Sequence, residues 1–133
     1  MSTIAPSLFV PAQLRYLEVI RVAVRIAFDG CDPACCTDLQ LAADELAGLL
    51  ISSAEPDCRL ALCSHHDDHD AYVRMSVPTR EPCPRPATPE LTHLLLTATT
   101  DSYDLSVDDE RGTNTLTGVL QRRLESPSTP PFT

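Results

Sequence analysis

A run of imidazoles and carboxylates is the first group of residues in this sequence whose types could do chemistry. It comprises His65, His66, Asp67, Asp68, His69 and Asp70. Such side chains suit Zn²⁺ or Ni²⁺. The run matches no regular ligand spacing, however, and it falls between two predicted strands, where polar residues are expected in any case. We therefore predict an exposed hairpin tip and assign no metal ligand; a metal site is the alternative.

Thiols are the second such group. The chain has six cysteines, three of which cluster as Cys31, Cys35 and Cys36. This spacing is not the Cys-x2-Cys of zinc or redox sites, and no second well-spaced pair follows. The first ten residues lack the regions of a secretory signal, so we expect the thiols to be mostly reduced. Packing as small hydrophobic side chains is the predicted role, with a zinc or redox cluster as the alternative.

The charge of the chain limits the classes of partner. Nineteen acidic and ten basic residues give a net charge of −9. We expect no direct nucleic-acid binding from this balance, because phosphates need clustered Lys and Arg. An acidic surface suits a basic protein partner, or it only keeps the domain in solution. No apolar run approaches the ~20 residues that span a bilayer, so we expect a cytoplasmic protein with no membrane contact.

Two long helices are predicted in the first half of the chain. The first begins at Pro11, since proline is favourable at a first helical position, and ends near Gly30. Its apolar stripe comprises Leu14, Leu17, Ile20, Val24 and Ala27. The second spans residues 38–54 and begins at a capping box formed by Thr37 and Gln40. Its apolar face comprises Leu39, Ala42, Ala43, Leu46, Leu49, Leu50 and Ser53.

A third helix follows a proline-rich loop at residues 78–89. Thr88 is predicted to cap it, with Pro89 at its first position and Glu90 favourable to the helix dipole. Its apolar residues at helical spacing are Leu91, Leu94, Leu95 and Ala98. We interpret the apolar stripes of all three helices as core.

Strands are predicted at five places by alternation and flanking turns: residues 7–10, 58–63, 71–77, 102–107 and 113–121. The second and third form a hairpin. The expected fold is α+β, a two-layer α/β sandwich whose mixed, mostly antiparallel sheet is covered by three helices on one face. Residues 1–125 are predicted to be a single domain, and residues 126–133 a disordered, proline-rich tail.

This order of elements resembles that of the anti-sigma factor serine kinases. The best block is the second helix, residues 39–54, which read LQLAADELAGLLISSA. The resemblance extends through THLLLTA at residues 92–98 and DSYDL at residues 101–105, and covers roughly residues 7–124. These kinases belong to the GHKL superfamily, with the histidine-kinase ATPase domain, gyrase and Hsp90. The resemblance thus implies a GHKL-type sandwich.

The resemblance also implies a nucleotide site whose motifs are eroded here. Glu45 falls on the family's acidic position, which acts as general base toward a substrate serine. The asparagine that holds Mg²⁺ four residues later is replaced by Leu49, which has no lone pair to offer a metal. The Asp-x-Gly-x-Gly segment corresponds to residues 76–84, which contain no aspartate and no glycine. Gly112 and Gly118 are the candidate relics of the last glycine segment.

The expected function is therefore that of an anti-sigma-factor-like regulator, which sequesters a stress-response-type sigma factor. Glu45 is the candidate catalytic residue, and Glu45, Gly112 and Gly118 are the candidate cofactor-binding residues; alternatively Glu45 is a solvated carboxylate beside Asp44. ATP and Mg²⁺ are the cofactors that the resemblance implies. The implied partners are a sigma factor, a STAS-type antagonist and a second copy of the chain. The alternatives are an ATP-dependent serine-protein kinase and a binding module for another protein.

Overall fold

Five strands form the frame of the molecule. The computed structural model describes residues 8–79, 87–110 and 113–124. Its strands are β1 Leu8–Pro11, β2 Arg59–His66, β3 Asp70–Thr79, β4 Ser102–Glu110 and β5 Thr113–Arg123. They lie in the order β1-β2-β3-β5-β4, and every pairing between them is antiparallel. The prediction of a mixed sheet was therefore wrong: two hairpins supply β2–β3 and β4–β5, and the other two pairings also join strands of opposite direction.

One face of this sheet carries the hydrocarbon side chains. Successive side chains of a strand point to opposite faces, and in β3 the exposed Arg74 lies between the buried Val73 and Met75. The buried set on the strands comprises Val10, Leu60, Leu62, Ala71, Val73, Met75, Val77, Leu105, Leu116 and Leu120. The helices α1 Leu17–Ala27, α2 Pro33–Ser53 and α3 Glu90–Thr99 pack on this face. The fold is therefore α+β, with two layers.

The first helix begins later than the proline signal predicts. Pro11 is the last residue of β1, and the N–H of Ala12 continues the pairing by donating to the carbonyl of Cys58 at 3.0 Å. This contact keeps the chain extended, so that a 3-10 turn at Leu14–Tyr16 precedes α1. Ile20 and Val24 of the predicted stripe are buried, as expected, whereas Leu14 is 63% exposed.

The second helix begins five residues earlier than predicted. Asp32 is its N-cap, and its carboxylate accepts from the N–H of Cys35 at 3.4 Å, with Pro33 at the first helical position. Thr37 therefore lies inside the helix, and the predicted capping box does not form; Gln40 donates instead to the carbonyl of Cys36 at 3.3 Å. The predicted apolar face is largely confirmed, with the buried residues Cys35, Leu39, Ala42, Ala43, Leu46, Ala47 and Leu50. The first helix was predicted to end near Gly30, and Gly30, with φ +94°, lies in the turn that follows α1.

The third helix buries a different face from the predicted one. Pro89 is its N-cap, in an extended conformation with ψ 147°, and no side chain of the described residues caps the helix, so the prediction of a Thr88 cap was wrong. Its buried residues are Thr92, Leu96 and Thr99. Leu91 and Leu94 of the predicted core stripe are instead exposed.

The predicted hairpin of β2 and β3 is confirmed, with both strands longer than expected. Several predictions fall outside the described residues: most of the proline-rich loop at 80–86, the candidate Gly112 and the tail at 126–133. None of the helices in the described part of the chain combines the length and apolar character that a membrane crossing requires.

Candidate functional site

A cleft of about 310 Å³ opens between α2 and α3, beside the candidate residue Glu45. The first residue of α1 and the cap of α3 complete its wall. The lining residues are Leu17, Asp44, Glu45, Gly48, Leu49, Ser52, Pro89 and Thr92. The α2 helix places Glu45 here because its neighbour Leu46 points into the core, which turns the carboxylate toward α3. The structure thus puts the predicted acid in a concave site.

The carboxylate of Glu45 is already bonded within the protein. The hydroxyl of Thr92 donates to Glu45 Oε1 at 2.7 Å, across the gap between α2 and α3. Thr92 is only 9% exposed, whereas Glu45 is half-buried. A threonine of the same chain therefore bonds to one of the two oxygen atoms of the carboxylate.

The polar side chains on the wall of the cleft have partners within the protein, a point that bears on whether Mg²⁺ could bind there. Such a cation takes carboxylate, phosphate and water oxygens in octahedral geometry. Asp44 pairs with Arg21 of α1 at 3.2 Å, Glu45 bonds to Thr92, and the hydroxyl of Ser52 donates to its own helix at the carbonyl of Leu49. Leu49 itself lines the cleft with hydrocarbon. The described residues hold no cluster of three or more His, Cys, Asp or Glu that could hold a metal ion.

Gly118, the other described candidate, lies in the middle of β5 and not on the wall of the cleft. A Cβ atom added there would lie 2.7 Å from Cδ1 and 2.9 Å from Cδ2 of Leu46. Because Leu46 is fully buried, the absence of a side chain at Gly118 lets α2 approach the sheet closely. The structure therefore gives this glycine a packing contact beneath the helix that carries Glu45.

The imidazoles of the hairpin do not converge. The ring of His65 stacks on Tyr72 with centroids 4.9 Å apart, whereas the ring of His66 lies 5.9 Å from that of Phe28. Consecutive strand residues point to opposite faces. At the tip, Asp67 Oδ1 accepts from the backbone N–H groups of Asp70 and His69, both at 2.7 Å, and these bonds lower the pKa of the Asp67 carboxyl. The acid thus stabilises the turn itself.

An apolar surface on α3 was missed by the sequence analysis. Leu91 is 75% and Leu94 is 57% exposed, Leu95 is half-buried and Ala98 is exposed. These residues follow the spacing i, i+3, i+4 and i+7, so they form one stripe, which we call the α3 stripe. The inward face holds threonines whose hydroxyls are satisfied: that of Thr99, for example, donates to the carbonyl of Leu95 at 2.8 Å. The sequence did offer a signal for this face: a threonine in a helix can be buried when its hydroxyl bonds to a backbone carbonyl of the preceding turn.

Comparison with known proteins adds no family assignment. No protein-family model matches this sequence, and a search of curated proteins finds no significant relative.

Proposed function

We propose that this protein is a GHKL-type, anti-sigma-factor-like regulator, which sequesters a stress-response-type sigma factor by protein binding. The observation that carries the proposal is the α3 stripe. Three leucines and an alanine at i, i+3, i+4 and i+7 of one helix have the anchor spacing of helices that bind in an apolar groove of a partner. Contiguous exposed apolar surface of this kind is typical of protein interaction sites.

The chemistry of the cleft supports binding over catalysis. A serine kinase needs a free general base and a bound metal at the nucleotide phosphates. Glu45 accepts from Thr92 at 2.7 Å, and Leu49 presents hydrocarbon where the resemblance calls for a magnesium ligand. Such a cleft favours a regulator that acts by covering its partner, with no phosphate transfer.

The sheet and the charges are compatible with the same proposal. Five antiparallel strands under three helices suit the two-layer sandwich of the GHKL superfamily, and the block around Glu45 on α2 supplies the sequence resemblance. On β4 the carboxylates of Asp104, Asp108 and Asp109 are exposed. A net charge of −9 would speed encounter with a basic partner surface. Dimerisation and release by a STAS-type antagonist complete the proposal by resemblance.

A charge placed on the α3 stripe tests the proposal. Leu94→Glu should weaken binding to the cognate sigma factor at least tenfold, because it places a carboxylate in an apolar contact, and a tenfold loss corresponds to about 1.4 kcal/mol. Thr97→Glu is the matched control: Thr97 is exposed on the same helix, outside the stripe. Titration calorimetry with each sigma factor of the source genome measures both variants.

Two results would refute the proposal. One is that no sigma factor of that genome binds the purified wild-type protein. The other is that a sigma factor binds but Leu94→Glu and Thr97→Glu weaken it equally, which would place the interface elsewhere. Binding of a different protein, lost in Leu94→Glu alone, would favour the alternative of a binding module for another partner.

An ATP-dependent serine-protein kinase is the second candidate, and the position of Glu45 on a cleft wall is the observation that favours it. Calorimetric titration of ATP with and without Mg²⁺ separates the two. Under our proposal neither titration gives heat. Micromolar binding that is lost in Glu45→Ala, together with phosphate transfer to a partner serine, would establish the kinase instead.

A further inference from the structure

Two of the clustered cysteines occupy positions that bring side chains together at the start of a helix. Asp32 is the N-cap of α2, so Cys31 precedes the cap and Cys36 is the fourth helical residue. Side chains at these two positions pack against each other in the hydrophobic staple. Both are half-buried and pack on the margin of the core. The two staple positions of α2 are thus both occupied by cysteines.

The electrostatics of the thiols agree with this placement. Partial burial raises the pKa of the Cys31 thiol, and the charges that Cys36 and Cys35 would carry as thiolates raise it further. Repulsion of this kind weakens with distance, which agrees with thiols placed near one another at the start of α2. The sulfur of Cys36 also accepts from Gln40 Nε2 at 3.5 Å.

The third thiol of the cluster is directed elsewhere. Cys35 is fully buried, and its thiol donates to the carbonyl of Arg123, at the end of β5, at 3.9 Å. It therefore faces the sheet, while Cys31 and Cys36 keep partial access to solvent. Within the cluster, only the staple pair combines proximity with access.

We propose that Cys31 and Cys36 form a reversible dithiol–disulfide site that reacts with small-molecule disulfides of the glutathione class. The Cys36 thiolate attacks one sulfur of the reagent and releases the first small thiolate. The Cys31 thiolate then attacks the Cys36 sulfur of the mixed disulfide and releases the second. The protein loses two electrons and two protons, and the reagent is reduced to two thiols. The first attack falls to Cys36, which lies in the first turn of α2, where the positive end of the helix dipole stabilises negative charge in the transition state.

The full-length protein tests this site directly. It is incubated with oxidised glutathione, its remaining thiols are alkylated, and its mass and the fragmentation of tryptic peptide 26–59 are measured. We expect a product lighter by two hydrogen atoms, with two fewer alkyl groups, in which fragments between residues 31 and 36 are missing. Dithiothreitol should restore both thiols.

Single variants check the order of attack. Cys31→Ser should stop at the mixed glutathione disulfide on Cys36, Cys36→Ser should accumulate little adduct, and Cys58→Ser, the control outside the cluster, should behave like the wild type. The proposal is overturned if the bond involves Cys35 or Cys58, if it forms in Cys31→Ser, or if the wild type yields mixed disulfides alone. The wild-type fragmentation decides the matter even where a variant folds poorly.

Discussion

The helices α2 and α3 both carry leucines at helical spacing, yet they use them in opposite ways. α2 packs along the sheet and buries Leu39, Leu46 and Leu50 completely. α3 lies beside α2 and β4, buries Thr92, Thr99 and a single leucine, Leu96, and exposes Leu91 and Leu94. The difference shows that an apolar stripe identifies a contact face, while the neighbours of the helix decide whether that contact is the core or a partner.

The largest expected effect separates the two helices by stability. Leu50→Ala, on the buried face of α2, should lower the free energy of unfolding by about 2–5 kcal/mol, because it leaves a cavity in the core. Leu94→Ala, on the α3 stripe, should change it by no more than about 0.5 kcal/mol. Urea denaturation followed by circular dichroism measures both. Equal losses would mean that Leu94 packs like a core residue, and the comparison would fail.

A smaller effect is expected where α2 meets the sheet. Gly118→Ala should cost about 1–3 kcal/mol, since its new Cβ would overlap the buried side chain of Leu46. Leu46→Val removes part of that side chain. It should therefore lower the free energy of unfolding less in the Gly118→Ala background than in the wild type. A double-mutant cycle measures this coupling. If the two changes in free energy of unfolding simply add, the close approach of Leu46 does not constrain the residue at position 118.

The smallest effect concerns the threonines of α3. Thr92→Val should lower stability by about 0.5–1.5 kcal/mol, because Glu45 loses its donor, although water can reach the half-buried carboxylate. Thr99→Val is the matched control and should change stability by about 0.5 kcal/mol or less, since its hydroxyl bonds only to carbonyls of its own helix. Thermal unfolding compares them. A Thr92→Val variant as stable as Thr99→Val would show that the hydrogen bond between Thr92 and Glu45 does not contribute to stability.

Local signals predicted much of the fold. The alternation of apolar and polar residues in β2 and β3 indicated their hairpin. Most of the apolar face of α2 was predicted correctly, because its apolar residues keep the helical spacing along the whole contact with the core. The errors arose where one local signal overrode another. Asp32 followed by Pro33 is as good a helix start as Thr37, and it lies earlier in the chain. At Pro11, pairing with a strand far along the chain overrode the helix signal.

The candidate site could be predicted only in part. The position of Glu45 on α2 follows from the helical period, and the structure places it on a cleft. Its donor Thr92 is 47 residues away, so the bond depends on how α3 packs, which no local pattern specifies. The same holds for the α3 stripe, because its exposure depends on the position of α3 in the helical layer.

The strand order also has a consequence during synthesis. β5 follows β4 in the chain but lies inside the sheet, between β3 and β4, and β4 has β5 as its neighbour in the described sheet. On the ribosome, β4 therefore emerges without a hydrogen-bonding partner, and one edge of β3 stays open until β5 has been translated. Until β5 has been translated, the open edges of β3 and β4 can pair with strands of other chains, because unpaired strand edges promote aggregation.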